Sequence, residues 1–223
     1  MKTPSQRHAF LQGEGDAWFG RNRQLDAHQV AHWCDQDPLR ELLENLPLPH
    51  GPQVSVLEVG CGQGLRLDRL KKAKGWDAWG LDPSERAIAA VNAAECRGIV
   101  GTAESLPIDD QSIDLLIFGF CLYLCDRDDL FQIAAEAHRV LKPKAWLAIL
   151  DFWTPSQTIN PYHHLQGVRS FKDDLPSMFS WHPSYVITDH RLRHHATRSY
   201  TDEQQDWVAA TILRRSDPNE GAS

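Results

Sequence analysis

The stretch "VSVLEVGCGQG", Val54 to Gly64, is an apolar run carrying a single acid, Glu58, and closing on three glycines at every second position. Such a run is too short for a helix and reads as a buried strand. The glycines that follow let the backbone turn sharply and approach a ligand. The pattern continues downstream as a regular alternation. Apolar strands are expected at Val54 to Val59, Asp77 to Asp82, Gly98 to Thr102, Ile113 to Phe120 and Trp146 to Phe152, with amphipathic helices between them. Ser84 suits the N-cap of the helix "ERAIAAVNAA", and Leu130 to Leu141 puts an apolar stripe on one face before Pro143 stops it. The expected fold is α/β: a doubly wound, Rossmann-like, mostly parallel sheet with ligands at the carboxyl ends of its strands.

The flanks read differently. "LDAHQVAHWCDQDPLRELLENL" predicts two helices broken at Pro38, and "WTPSQTINPYHHLQGVRSF" reads as a loop. "SYVITDHRLRH" and "DWVAATILRR" predict an antiparallel strand pair completing the sheet, the basic "DHRLRHHATR" being a charged strand edge. One domain of 223 residues is expected, with a helical cap at 1–50, a core at 51–152, and loops and terminal strands at 153–223. A net charge of −7 argues against nucleic acid as a bulk electrostatic partner. No apolar run approaches the roughly 20 residues of a membrane span, and the start has no signal core, so a cytoplasmic location is expected. Five scattered cysteines suit reduced thiols, and Cys121 with Cys125 lacks the second ligand pair of a zinc site, so no metal is expected.

The glycine loop has no Lys followed by Ser or Thr, which removes a triphosphate-binding loop. Its spacing is G-x-G-x-G, where a dinucleotide loop reads G-x-G-x-x-G. Glu58 at the strand end repels a pyrophosphate and attracts a cation. S-adenosylmethionine, with a sulfonium, an ammonium and no phosphate, fits that charge. Asp82, ending the next strand, suits the two ribose hydroxyls of an adenosyl group, although NAD enzymes use such an acid too.

Taken in order, "VLEVGCGQG", "WGLDPSERAI", "GTAESLPIDDQSIDLLIFGF" and "AHRVLKPKAWLAILDF" resemble the class I S-adenosylmethionine-dependent methyltransferases over Val54 to Phe152. The resemblance assigns Glu58 and the backbone of Gly60, Cys61, Gly62 and Gly64 to the methionine part. It assigns Asp82 to the ribose and Pro83 to the adenine face. An acid is usual at the position of Thr102, and here it comes two residues later, so Thr102, Ala103 and Glu104 share the adenine edge. Phe118 and Gly119 are expected to face the transferred methyl. The family's "LKPGG" turn is "LKPKA" here. "GEGDAWFGRNR", Gly13 to Arg23, is similar to the amino-terminal segment of methyltransferases of bacterial surface-sugar biosynthesis. By that likeness Trp18, Phe19 and Asn22 form a helical lid over the cofactor.

Methyl transfer from a sulfonium needs alignment more than covalent help, with a general base where the acceptor is a hydroxyl. His163, His164 and Tyr123 are the catalytic candidates, and Trp153, Tyr162 and Arg169 are the acceptor-binding ones. Arg169, Lys172, Arg191 and Arg193 are the cations suited to an acceptor carboxylate or phosphate. The expected activity is methylation, at oxygen or nitrogen, of a small polar metabolite such as a sugar or sugar-linked intermediate. RNA or protein methylation on the same fold, an NAD enzyme and a non-catalytic module are the competing readings.

Overall fold

Buried apolar strands with β-branched residues pair side by side because each has to satisfy its backbone while hiding both faces. In a computed structural model, which describes residues 5–22 and 35–216, helices α1 (Gln6–Ala9) and α2 (Gly15–Asn22) form an amino-terminal arm joined by a π turn over Phe10–Glu14. There follow α3 (Arg40–Glu44), β1 (Ser55–Val59), α4 (Leu65–Lys74), β2 (Asp77–Asp82), α5 (Glu85–Ala93), β3 (Arg97–Val100), β4 (Ile113–Gly119), α6 (Leu130–Val140) and β5 (Leu141–Phe152). The chain continues through β6 (Thr158–Pro161), β7 (Arg169–Lys172), α7 (Ser177–Ser180), β8 (Tyr185–His194) and β9 (Trp207–Arg215).

The main sheet runs β3-β2-β1-β4-β5-β9-β8. Its first five strands are parallel, and β9 and β8 join antiparallel, as expected. The order reverses at β1, so the crevice beyond the carboxyl ends of β1 and β4 is the topological switch point where such sheets bind ligands. Apolar layers cover both faces. One is built on Val56, Leu67, Trp76, Ile117 and Leu150, the other on Leu57, Phe118, Ile133, Leu147 and Phe179. Each such fully buried side chain contributes about 1.5–3 kcal/mol relative to exposure.

Three expectations are corrected. The predicted loop after β5 contains the hairpin β6–β7, registered from Thr158 with Lys172 to Pro161 with Arg169. Helix α6 stops at Val140, and Leu141 already belongs to β5, paired with Ile113. β3 starts and ends earlier than read, at Arg97 and Val100. Of the two helices predicted around Pro38, the first falls almost wholly outside the described residues, as do Cys34 and Trp33, and α3 is the second. No described helix is long and apolar enough to cross a membrane. Among the described residues Cys61, Cys96, Cys121 and Cys125 are free thiols.

Candidate active site

The loop after β1 is held open by backbone geometry. Gly60 has φ 74°, and a Cβ there meets the Cys121 Cβ at 2.6 Å and the Gly119 carbonyl at 3.0 Å, so only glycine fits. The Gly62 amide donates to the Asp82 carboxylate at 3.0 Å, and the other oxygen of Asp82 accepts from the Ser84 amide at 2.9 Å. Asp82 is buried, and burial raises its pKa against those two amides. Each of its oxygens keeps a lone pair for a further donor. Ser84 caps α5 through the Ala87 amide at 3.0 Å, as the sequence predicts.

Two halves of one crevice meet at this loop, sharing Trp18, Gly60 and Phe120 as their common wall. The first half holds Asp82, Pro83, Thr102, Ala103 and Glu104. Thr102 donates to Glu104 at 2.6 Å, and Arg7 of the arm lies 3.4 Å from the same carboxylate. The second half holds Glu58, Cys61, Gly62, Asn22, Arg66 and Gly119. Asn22 fixes the end of α2 by donating to the Trp18 carbonyl at 2.8 Å. The crevice thus brings together most of the residues expected to bind the cofactor.

Glu58 is not the free charge that the sequence suggests. One of its oxygens is ion-paired with Arg66, whose fork also grips Asp37 at 2.9 and 3.0 Å, all three side chains being buried. Its other oxygen, Oε2, is buried with no hydrogen-bond partner among the described residues. Burial drives the Glu58 pKa upward, and the Arg66 charge opposes it. An orphaned buried acceptor of this kind is costly unless a donor completes it. Gly119 makes room for the ion pair, since a Cβ there meets the Arg66-bound Oε1 of Glu58 at 2.6 Å.

The arm closes the crevice through contacts that the sequence does not reveal. Asp16 accepts from the Ser84 hydroxyl at 2.5 Å and the Arg86 amide at 3.1 Å. Gln6 donates to the Leu124 carbonyl at 2.7 Å and accepts from the Arg169 amide at 2.6 Å. Tyr162 donates to Glu14 at 2.7 Å, and Arg21 donates to both.

Several assignments move. The Phe118 side chain is fully buried against Phe179, with ring centroids 5.9 Å apart, and faces no crevice. Phe120, at φ 54°, lines both halves instead. His163 and His164 are exposed in the β6–β7 turn, away from the crevice walls. Tyr123 packs edge-on against Phe152 at 5.2 Å, and burial pushes its hydroxyl pKa up, which unsuits it as a base. Tyr162 is committed to the arm, and Arg169 is exposed beside it. Trp153 points to the far strands: it donates to Asp174 at 2.9 Å and stacks on Trp207 at 5.9 Å.

Two further polar groups lie near the carboxyl end of the sheet, outside the crevice lining. Asp151 at the end of β5 is buried and accepts from the Leu122, Tyr123 and Phe152 amides at 2.9, 3.3 and 2.8 Å, which fixes the turn after β4. His195 sits 6.0 Å from the Phe152 ring, with Nδ1 3.5 Å from Asp206. His194 stacks on it, and the cluster His194, His195 and Asp206 is compact enough for a metal. However, the His194 Nδ1 accepts the Ala196 and Thr197 amides at 3.0 and 3.2 Å. In the neutral ring that leaves the proton on Nε2, facing Asp206, so a hydrogen bond suits it better than a metal ion.

Residues 57–149 match the family described as "Methyltransferase domain". Over 116 residues the chain is 34% identical to an uncharacterized methyltransferase of Synechocystis, covering 51% of this chain and 53% of that one. It is 36% identical over 88 residues to a ubiquinone/menaquinone biosynthesis C-methyltransferase of Rubrivivax gelatinosus, covering 38% and 34%. The chain therefore spans about half or less of these curated relatives. A solved Burkholderia thailandensis 1,6-didemethyltoxoflavin-N1-methyltransferase, with its acceptor and S-adenosylhomocysteine bound, shares the fold at a TM-score of 0.68 and 17% identity, covering 94% of this chain and 89% of that one.

Proposed function

We propose that this chain, whose residues 57–149 match a methyltransferase-domain family, transfers a methyl group from S-adenosylmethionine to a small-molecule acceptor. The observation that carries the reading is the unpaired, buried Oε2 of Glu58 beside a glycine loop, with Asp82 one strand away. The Glu58 oxygen accepts from the cofactor's ammonium, Asp82 from its ribose hydroxyls, and Pro83, Ala103 and the Thr102–Glu104 pair enclose the adenine. Bound there, the cofactor supplies an electrophilic methyl on a sulfonium.

The chain's own part is alignment and exclusion of water. Trp18 and Phe120 flank the junction of the two halves and offer the cation aromatic faces, and α2 closes over it. Asp151 holds the Leu122–Tyr123 turn that shapes the acceptor side. The acceptor class is a small polar metabolite, a sugar or sugar-linked intermediate being the reading that the amino-terminal segment supports.

The test is to incubate the protein with methyl-labelled S-adenosylmethionine and, separately, a metabolite extract, bulk RNA and protein. Label in the small-molecule fraction, reduced by Asp82→Ala, supports the proposal. Label in RNA or protein alone overturns the acceptor class, and no transfer to any fraction overturns the activity.

A further inference from the structure

A second cavity lies behind the Arg66–Asp37 pair, floored by the buried strand residues Val208 and Ala210 of β9. It adjoins the proposed transfer site in two ways. Asp37, on its wall, is gripped by the same Arg66 that lines the Glu58 half of the crevice. Val208 is also the cross-strand partner of Phe152, which contacts Phe120 at 5.7 Å.

The walls carry four acids and four arginines, but the ion pairs are not made one to one, because Arg66 and Arg69 reach Asp37 from outside the cavity. All four acids there are already engaged: Asp35 and Glu44 by Arg40, Glu41 by Arg191, and Asp37 by Arg66 and Arg69. Two guanidiniums are left over. Arg193 lies over the Tyr200 ring at 4.1 Å and donates to the Leu192 carbonyl at 2.7 Å. Arg198, in a left-handed turn at φ 60°, donates to the His195 carbonyl. Neither has a carboxylate within ion-pairing distance among the described residues, although both are partly withdrawn from solvent. A carbonyl or a ring occupies one face of each cation and leaves further N–H donors for an anion.

We infer that Arg193 and Arg198 form an anion subsite that binds a phosphate or carboxylate group of the methyl acceptor. This rests on the methyltransferase reading.

The test uses the full chain saturated with S-adenosylhomocysteine, titrated by calorimetry with inorganic pyrophosphate and, separately, acetate as probes. Arg193→Gln and Arg198→Gln are compared with wild type and with Arg97→Gln, a cation on the opposite edge strand. At least one probe is expected to bind wild type and Arg97→Gln saturably, and at least about tenfold more weakly in each of the other two variants. S-adenosylhomocysteine affinity should be equal in all four, which shows that the variants are folded. Pyrophosphate marks a phosphate site and acetate a carboxylate site. Equal probe binding by all four proteins, or none by wild type, overturns the inference. Failure of S-adenosylhomocysteine to bind overturns the methyltransferase reading, with the probe comparison still readable without it.

Discussion

Glu58 concentrates the chemistry of the site in one side chain. Its carboxylate has one oxygen bound to Arg66 and one waiting for a donor. Glu58→Gln keeps the shape and removes the charge, and is expected to weaken S-adenosylhomocysteine binding by about 1.5–3 kcal/mol in calorimetry, the worth of a hydrogen bond to a charged group. The direction of its pKa shift adds a pH test. Burial raises it, so protonation on acidification removes the acceptor of an ammonium, and affinity should fall as pH drops from about 8 to about 6. Glu58→Gln should flatten that profile. Lys144 gives a separate stability test. It takes φ 63°, a left-handed conformation that glycine adopts without strain. Relief of left-handed strain makes Lys144→Gly stabilising by about 1 kcal/mol in denaturant unfolding, less whatever the lysine's own contacts contribute.

At the scale of elements, the arm and the turn after β4 are the parts that turn a nucleotide-type sheet into a closed site. Asp16 ties α2 to the amino end of α5. Asp16→Ala is expected to cost about 1 kcal/mol of stability, as for a lost helix cap, and to speed cofactor release in stopped-flow. Asp151 is raised to about 7 by burial despite its three amide donors. A carboxyl whose folded pKa lies above its unfolded value contributes stability that is complete below the unfolded pKa and lost as pH rises through the folded one. Thermal melts should therefore fall from pH about 5 to about 8 in wild type and fall less in Asp151→Asn. The variant should also start about 1–3 kcal/mol less stable, because one amide donor then faces an NH2 group. The parallel strands were legible in the sequence because each is a local apolar run. The hairpin β6–β7 was not, because its strands are short and polar, and contacts with distant segments, the arm's Gln6 and Glu14, Arg127 and Gln205, fix them in place.

Across the whole molecule, the residues of the crevice proposed for the cofactor were legible, and those proposed for the acceptor were not brought to it. Glycine spacing and an acid at each of two strand ends are local signals, and Gly60, Gly62, Asp82 and Glu104 come together as expected. Period two places Phe118 and Phe120 on one face, but the left-handed φ at Phe120 turns it to the other. No sequence pattern announces that in a phenylalanine. Likewise Arg66 reaches Asp37 across 29 positions, so the anchoring of the guanidinium that pairs with Glu58 depends on packing between distant elements. The placement of the histidines was likewise not readable from local pattern: His163 and His164 lie in an exposed turn away from the crevice walls.

The most direct measurement is a calorimetric titration of S-adenosylmethionine, S-adenosylhomocysteine and NAD into the purified chain, with Asp82→Ala alongside. The account predicts saturable binding of the first two, lost in Asp82→Ala, and no heat from NAD. Binding of NAD alone, or of none of the three, contradicts it.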